Sequence, residues 1–179
     1  SLLVLIATLP LLAFNHAAEV TPLTSLGKGT LSDVVWSPDG STLAVSGSNG
    51  IYIYDAETLT ELRHIEAGPL ITSIAYNPDG TLLAAGSADE IFARQESWRR
   101  YSPWGSENNF VYVFNAVSGE QLAALECGDS YLTRVQFSPD GQLLAAASMY
   151  PDDNGIRVWE TPTVLAGETT PLYRFKEHT

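Results

Sequence analysis

Within residues 94–104 stand Arg94, Trp98, Arg99, Arg100, Tyr101 and Trp104. These side chains bury a large area while keeping hydrogen-bond donors at their tips, the combination that dominates binding hot spots. Their chemistry is recognition of another macromolecule's surface. Tyr150, in a second irregular stretch that runs Met149-Tyr150-Pro151-Asp152-Asp153, has the same character. The alternative for the first stretch is structural, with Trp98 and Trp104 folded back over a sheet edge and the arginines paired with Glu90, Glu96 and Glu107. Long connections in compact domains are usually functional or disordered, which keeps both readings open.

Bond-making chemistry finds little support elsewhere. Ser46, Ser48, Ser87 and Ser148 recur at the ends of apolar runs, and none stands in the Gly-x-Ser-x-Gly elbow of an α/β-hydrolase nucleophile, so they read as structural. His64 falls in an outer strand and reads as a surface residue. A single cysteine, Cys127, forms no internal disulfide, and histidines at 16, 64 and 178 make no zinc cluster. Asp152-Asp153-Asn154 offers oxygen ligands, but without the carboxylate spacing of an EF-hand it reads as a solvated turn rather than a calcium site. No Gly-rich phosphate loop occurs. No catalytic residue, cofactor or metal is expected. Nine Lys plus Arg against 21 Asp plus Glu leave a formal charge of -12, whose average field repels phosphate backbones, so nucleic acid is not an expected partner.

The elements that hold these residues are set by a repeat. The 179 residues include 14 Gly and 10 Pro, a chain broken often by turns. Trp36-Ser37-Pro38-Asp39-Gly40, Tyr76-Asn77-Pro78-Asp79-Gly80 and Phe137-Ser138-Pro139-Asp140-Gly141 each join two alternating strands. Proline pre-sets the backbone for the turn, aspartate caps it, and glycine takes the left-handed conformation that rejoins the outgoing strand. A third strand comes next in each unit, ending Tyr54-Asp55, Phe114-Asn115 and Trp159-Glu160. A fourth reads TELRHI, EQLAALE and PLYRFKE. The aromatics at these ends, with Trp36 and Phe137 on the inner strands, are expected to pack between units. Each sheet has two apolar faces and must stack on copies of itself.

These turns, in register with the aromatic ends of the third strands, resemble the WD-repeat β-propeller family over roughly residues 20–179. The Trp-Asp pair of that family is kept here as an aromatic followed by a variable residue. The resemblance implies an all-β fold: a partial β-propeller of three four-stranded antiparallel blades, at about 30–66, 70–127 and 131–177, plus an N-terminal clasp strand near residues 20–27. Propellers close with about four to eight blades, so three make an incomplete ring, the N-terminal part of a longer propeller or an oligomerising half. The insertion at 88–108 and the loop around Tyr150 would lie on one ring face, opposite the Pro-Asp-Gly turns.

Residues 1–18 differ. Leu2 to Phe14 is almost uninterrupted apolar sequence, too short to span a bilayer comfortably and suited to a signal peptide or signal anchor, with a buried element of the fold as the alternative. The first reading makes the rest extracytoplasmic or secreted, or anchored to the membrane. The function expected is non-catalytic protein binding or scaffolding through the enlarged loops. The alternative is a sensor or gating propeller of a larger enzyme, a peptidase or kinase whose catalytic part lies outside these residues. A ligand-binding propeller would need charged residues converging on the central channel, and the inner strands offer mainly Asp33, Ser73, Arg134 and Gln136, too few for that reading.

Overall fold

The computed structural model describes residues 24–68, 70–88, 109–128, 131–149 and 155–176. In the first blade, β1 (Leu31–Trp36), β2 (Thr42–Gly47), β3 (Gly50–Asp55) and β4 (Glu61–Ile65) pair in sequence order. The second contains β5 (Leu70–Tyr76), β6 (Leu82–Ala88), β7 (Phe110–Asn115) and β8 (Gln121–Glu126), again in order. The third contains β9 (Tyr131–Phe137), β10 (Leu143–Met149), β11 (Gly155–Glu160) and β12 (Tyr173–Lys176). All neighbouring strands are antiparallel. The architecture is the expected one: three blades of a partial β-propeller.

The Pro-Asp-Gly turns close as their residues require. In the first, Gly40 has φ +72° and donates its N–H to the Ser37 carbonyl at 2.9 Å. Asp39 Oδ1 accepts from Ser37 Oγ at 2.6 Å and from the Ser41 N–H at 3.0 Å. Ser37 Oγ in turn accepts the Thr42 N–H, and Ser138 in the third blade repeats this for Leu143. In the second blade Asn77 Oδ1 does the same work for Leu82. The carboxylates of all three turns are held below their ordinary pKa.

The blades stack through their flat faces. Ala44, Ile51, Ile53 and Ile65 of the first blade meet Ile71, Ile74, Leu83 and Phe114 of the second, all buried. At the next junction Leu82, Val111, Val113 and Leu125 meet Leu132, Val135, Phe137 and Trp159. Small residues in the second strands let the sheets approach: a Cβ at Gly86 would come within 3.1 Å of Val135 Cγ1. Phe114 and Trp159 are buried at the junctions as expected, Cys127 is buried too, and Tyr54 is buried against Leu43, Val45 and Tyr52 of its own blade.

One expectation is corrected, and one connection was not anticipated. Trp36 is 56% exposed, whereas Phe137 at the same place in the third blade is 5% exposed. The back of β5 and β9 is covered by the preceding blade, and among the described residues none precedes β1. The connection from β11 to β12 is not a simple turn, because Thr161–Leu165 forms a one-turn helix, α1, with Pro162 in its first turn. Proline is favoured there, since its missing N–H has no helical partner to lose. The N-terminal apolar stretch and residues 20–23 of the expected clasp strand lie outside the described residues, and residues 24–27 form no strand.

Two measurements check these contacts. Leu83, wholly buried, lies in the first junction, so Leu83→Ala should cost about 2–5 kcal/mol in urea unfolding, and Leu122→Ala, 40% exposed, about 0.5 kcal/mol or less. Asp39 should titrate near pH 2, because the Ser37 hydroxyl and the Ser41 N–H hold its carboxylate charged. Its contribution to stability is therefore complete above the ordinary pKa of 3.8 and disappears as pH falls through about 2. NMR titration should find that low midpoint, moved upward by Ser37→Ala.

Candidate functional site

The two ends of the blade stack differ in what they carry. One end holds the Pro-Asp-Gly turns. The opposite end holds the connections from second to third strand and the links from each outer strand to the next inner strand.

At that opposite end the first blade is tightly closed. Ser48 donates its N–H to the Thr30 carbonyl at 2.9 Å, and the Thr30 N–H returns to Ser48 Oγ at 3.1 Å. A Cβ on Gly47 would lie 2.0 Å from the Thr30 carbonyl oxygen, and one on Gly50 would lie 2.3 Å from that of Ile65. No side chain larger than hydrogen fits at either place. The second and third blades are built differently. β6 ends at Ala88 and β7 begins at Phe110, while β10 ends at Met149 and β11 begins at Gly155. Both enlarged connections spring from this end, on adjacent blades whose strands β6 and β9 pack together.

The bases of these loops are braced by serines. Ser87 Oγ accepts the Phe110 N–H at 3.0 Å and donates to the Phe110 carbonyl at 3.1 Å. Ser148 Oγ donates to the Gly155 carbonyl at 3.3 Å. The structural reading of these two is borne out. Ser46 and Ser48 flank the matching position, which is Gly47 in the first blade, so the four serines are not all equivalent. His64 lies on β4, exposed, with its ring stacked on Tyr52 at 4.3 Å between centroids.

The residues expected to bind a partner, Arg94, Trp98, Arg99, Arg100, Tyr101, Trp104 and Tyr150, lie outside the described residues, as do Asp152, Asp153 and Asn154. At the edge of the second loop, Met149 is 57% exposed.

Around the axis the inner strands are joined by side chains. Asp33 Oδ2 accepts from Ser73 Oγ at 3.1 Å and from the Ile74 N–H at 3.0 Å, and Ser73 Oγ accepts the Val135 N–H at 3.3 Å. Thr72 Oγ1 donates to the Leu132 carbonyl at 2.6 Å. Of the polar groups that could have lined a ligand channel, Asp33 and Ser73 are thus committed to joining blades, whereas Arg134 and Gln136 are exposed. The signal was present in the sequence as a polar residue directly after each inner-strand bulge.

One feature was not anticipated. At the end bearing the Pro-Asp-Gly turns, a groove of about 320 Å³ opens between the second and third blades, with the exposed Leu165 of α1 on one wall and Asp79 and Asp140 on its rim. Its walls come from segments some sixty to eighty positions apart, so no local pattern announces it.

Sequence comparison agrees with these repeats. The family described as WD domain, G-beta repeat matches residues 20–55, 57–91 and 119–160. The second match takes in β4, β5 and β6, and the third takes in β8 to β11, so each begins one strand ahead of a blade. Serine-threonine kinase receptor-associated protein of Homo sapiens is 26% identical over 162 residues, 90% of this chain and 39% of that protein. Apoptotic protease-activating factor 1 of Danio rerio is 30% identical over 141 residues, 78% of the chain and 9% of that relative. Probable cytosolic iron-sulfur protein assembly protein 1 of Kluyveromyces lactis is 27% identical over 135 residues, 72% of the chain and 37% of that protein. The chain spans well under half the length of these relatives.

The axial bonds give a test. Ser73 is 1% exposed, and removing its hydroxyl leaves the buried Val135 N–H without its acceptor. Ser73→Ala should therefore cost about 1–3 kcal/mol in urea unfolding. Combined with Asp33→Ala, the two losses should fall short of their sum, because both variants break the same contact.

Proposed function

The chain belongs to the WD-repeat family, and from that premise we propose that it is a protein-binding scaffold that performs no chemistry itself. The observation that carries this reading is the placement of two enlarged connections, from Ala88 to Phe110 and from Met149 to Gly155, at one end of two blades packed side by side. Blades held rigid by shared cores position loops well for recognition, because binding residues gather on loops set on a stiff frame. The side chains we assign to partner contact are Arg94, Trp98, Arg99, Arg100, Tyr101, Trp104 and Tyr150, types suited to a buried hot spot.

The names of two relatives support the same class of role, one as receptor-associated and one as an assembly protein. The ring in this proposal is completed by blades beyond the three described. Residues 1–18 act as an export segment or anchor, which would place the blades outside the cytoplasm.

A quantitative pull-down tests the binding face. Proteins recovered by the full chain should be lost when Trp98, Arg99, Arg100, Tyr101 and Trp104 are replaced by alanine, with affinity falling about thirtyfold or more. Urea unfolding should be unchanged. A variant that keeps every partner at full affinity would overturn the assignment, and a large loss of stability would favour the structural reading of these aromatics.

A further inference from the structure

The groove between the second and third blades lies at the end opposite the enlarged loops, and its construction is specific. Pro78 of one Pro-Asp-Gly turn sits beside Gly141 of the next, where a Cβ would come within 3.3 Å of the proline Cδ. The first junction has the same contact, Pro38 against Gly80, at 3.4 Å. The junctions differ in how the chain leaves the third strand. The first two blades close with tight turns, in which the Asp55 and Asn115 carbonyls accept the Leu59 and Gly119 N–H groups. The third has α1. Val164 is 2% exposed and fixes the helix in the core, while the Thr161 N–H donates to the Gln142 carbonyl at 2.8 Å. So seated, α1 holds Pro162 and the 46% exposed Leu165 as an apolar wall.

The rest of the groove is polar and negative. Asp79 and Asp140 line it with Gln142, and its described walls contain no lysine or arginine. Hydrogen bonds from Thr81 and Ser138 keep the two carboxyls below their ordinary pKa, so both are charged at neutral pH. Thr161, 6% exposed, also lines the groove, and its Oγ1 has no hydrogen-bond partner among the described residues.

A charged pair over an apolar wall fits one kind of guest. A metal ion would call for about six oxygens, whereas lysine and arginine lay an aliphatic stem along apolar surface and keep a charged head at its edge. We propose that this groove docks an arginine or lysine of a partner polypeptide, the cationic head facing Asp79 and Asp140 and the stem resting on Pro162 and Leu165. The net charge of -12 draws such a segment in and makes its approach sensitive to salt.

The probe is a short fluorescein-labelled peptide with one arginine flanked by leucine and proline, followed by anisotropy with the full chain. At low ionic strength it should bind about tenfold or more tighter than the same peptide carrying glutamate, and added salt should narrow the difference. The double variant Gln142→Lys with Leu165→Lys places two cations in the groove, away from the turn bonds. It should weaken binding about tenfold or more while leaving the urea midpoint in place. Asp140→Asn, which keeps the turn's acceptor oxygen, should weaken binding in the same direction. Equal affinity for the arginine and glutamate peptides, or undiminished binding by the double variant, would overturn the proposal. Free arginine amide binding as tightly as the peptide would overturn its assignment to a polypeptide partner.

Discussion

A sheet with two apolar faces cannot be dried by its own chain, and this constraint organises the protein. Leu43 and Ala44, neighbours on β2, point to opposite faces, and both are buried. Stacking blade on blade is the solution that the repeat allows. It demands small residues where sheets approach, as at Ala84, Ala85 and Gly86, and large ones where they diverge, as at Phe114 and Trp159. Apolar burial of this kind is strong but carries little direction. Orientation comes from the polar contacts near the axis.

Those contacts form a relay. Asp33 accepts from the second blade, and Ser73, at the equivalent place, accepts from the third. Arg134 occupies that place on β9, and a guanidinium has donors only. The third blade therefore cannot offer a following sheet the acceptor that its predecessors offer. At the other end of each strand the Pro-Asp-Gly turns join the same stack through Pro38 against Gly80 and Pro78 against Gly141. The blades are thus registered at two levels, and loops at both ends inherit a rigid base.

Much of this was legible because the repeat states it three times. Alternation gave the strands, and Pro-Asp-Gly gave the turns and the left-handed glycines. The exposure of Trp36 was not legible, since burial of a repeated position is a property of the neighbouring blade and not of the residue itself. Helix α1 was missed because five residues are too few for a period, and its one local sign was Pro162 after the third strand. The groove depends on that helix meeting two turns from different blades. Ser48, Ser87 and Ser148 all bind backbone at loop bases, in keeping with a structural reading, but only the last two share a register, since Gly47 holds that place in the first blade.

The offset between repeat and blade has a genetic corollary. A segment offset in this way and four strands long, from β4 through β7, carries the outer strand of one blade together with the first three strands of the next. Its loss would leave two sheets each missing part of their ladder, which heal by pairing with one another. Its gain would insert a unit already interlocked on both sides. Copy number in such a gene can therefore drift without ever producing a free-standing sheet.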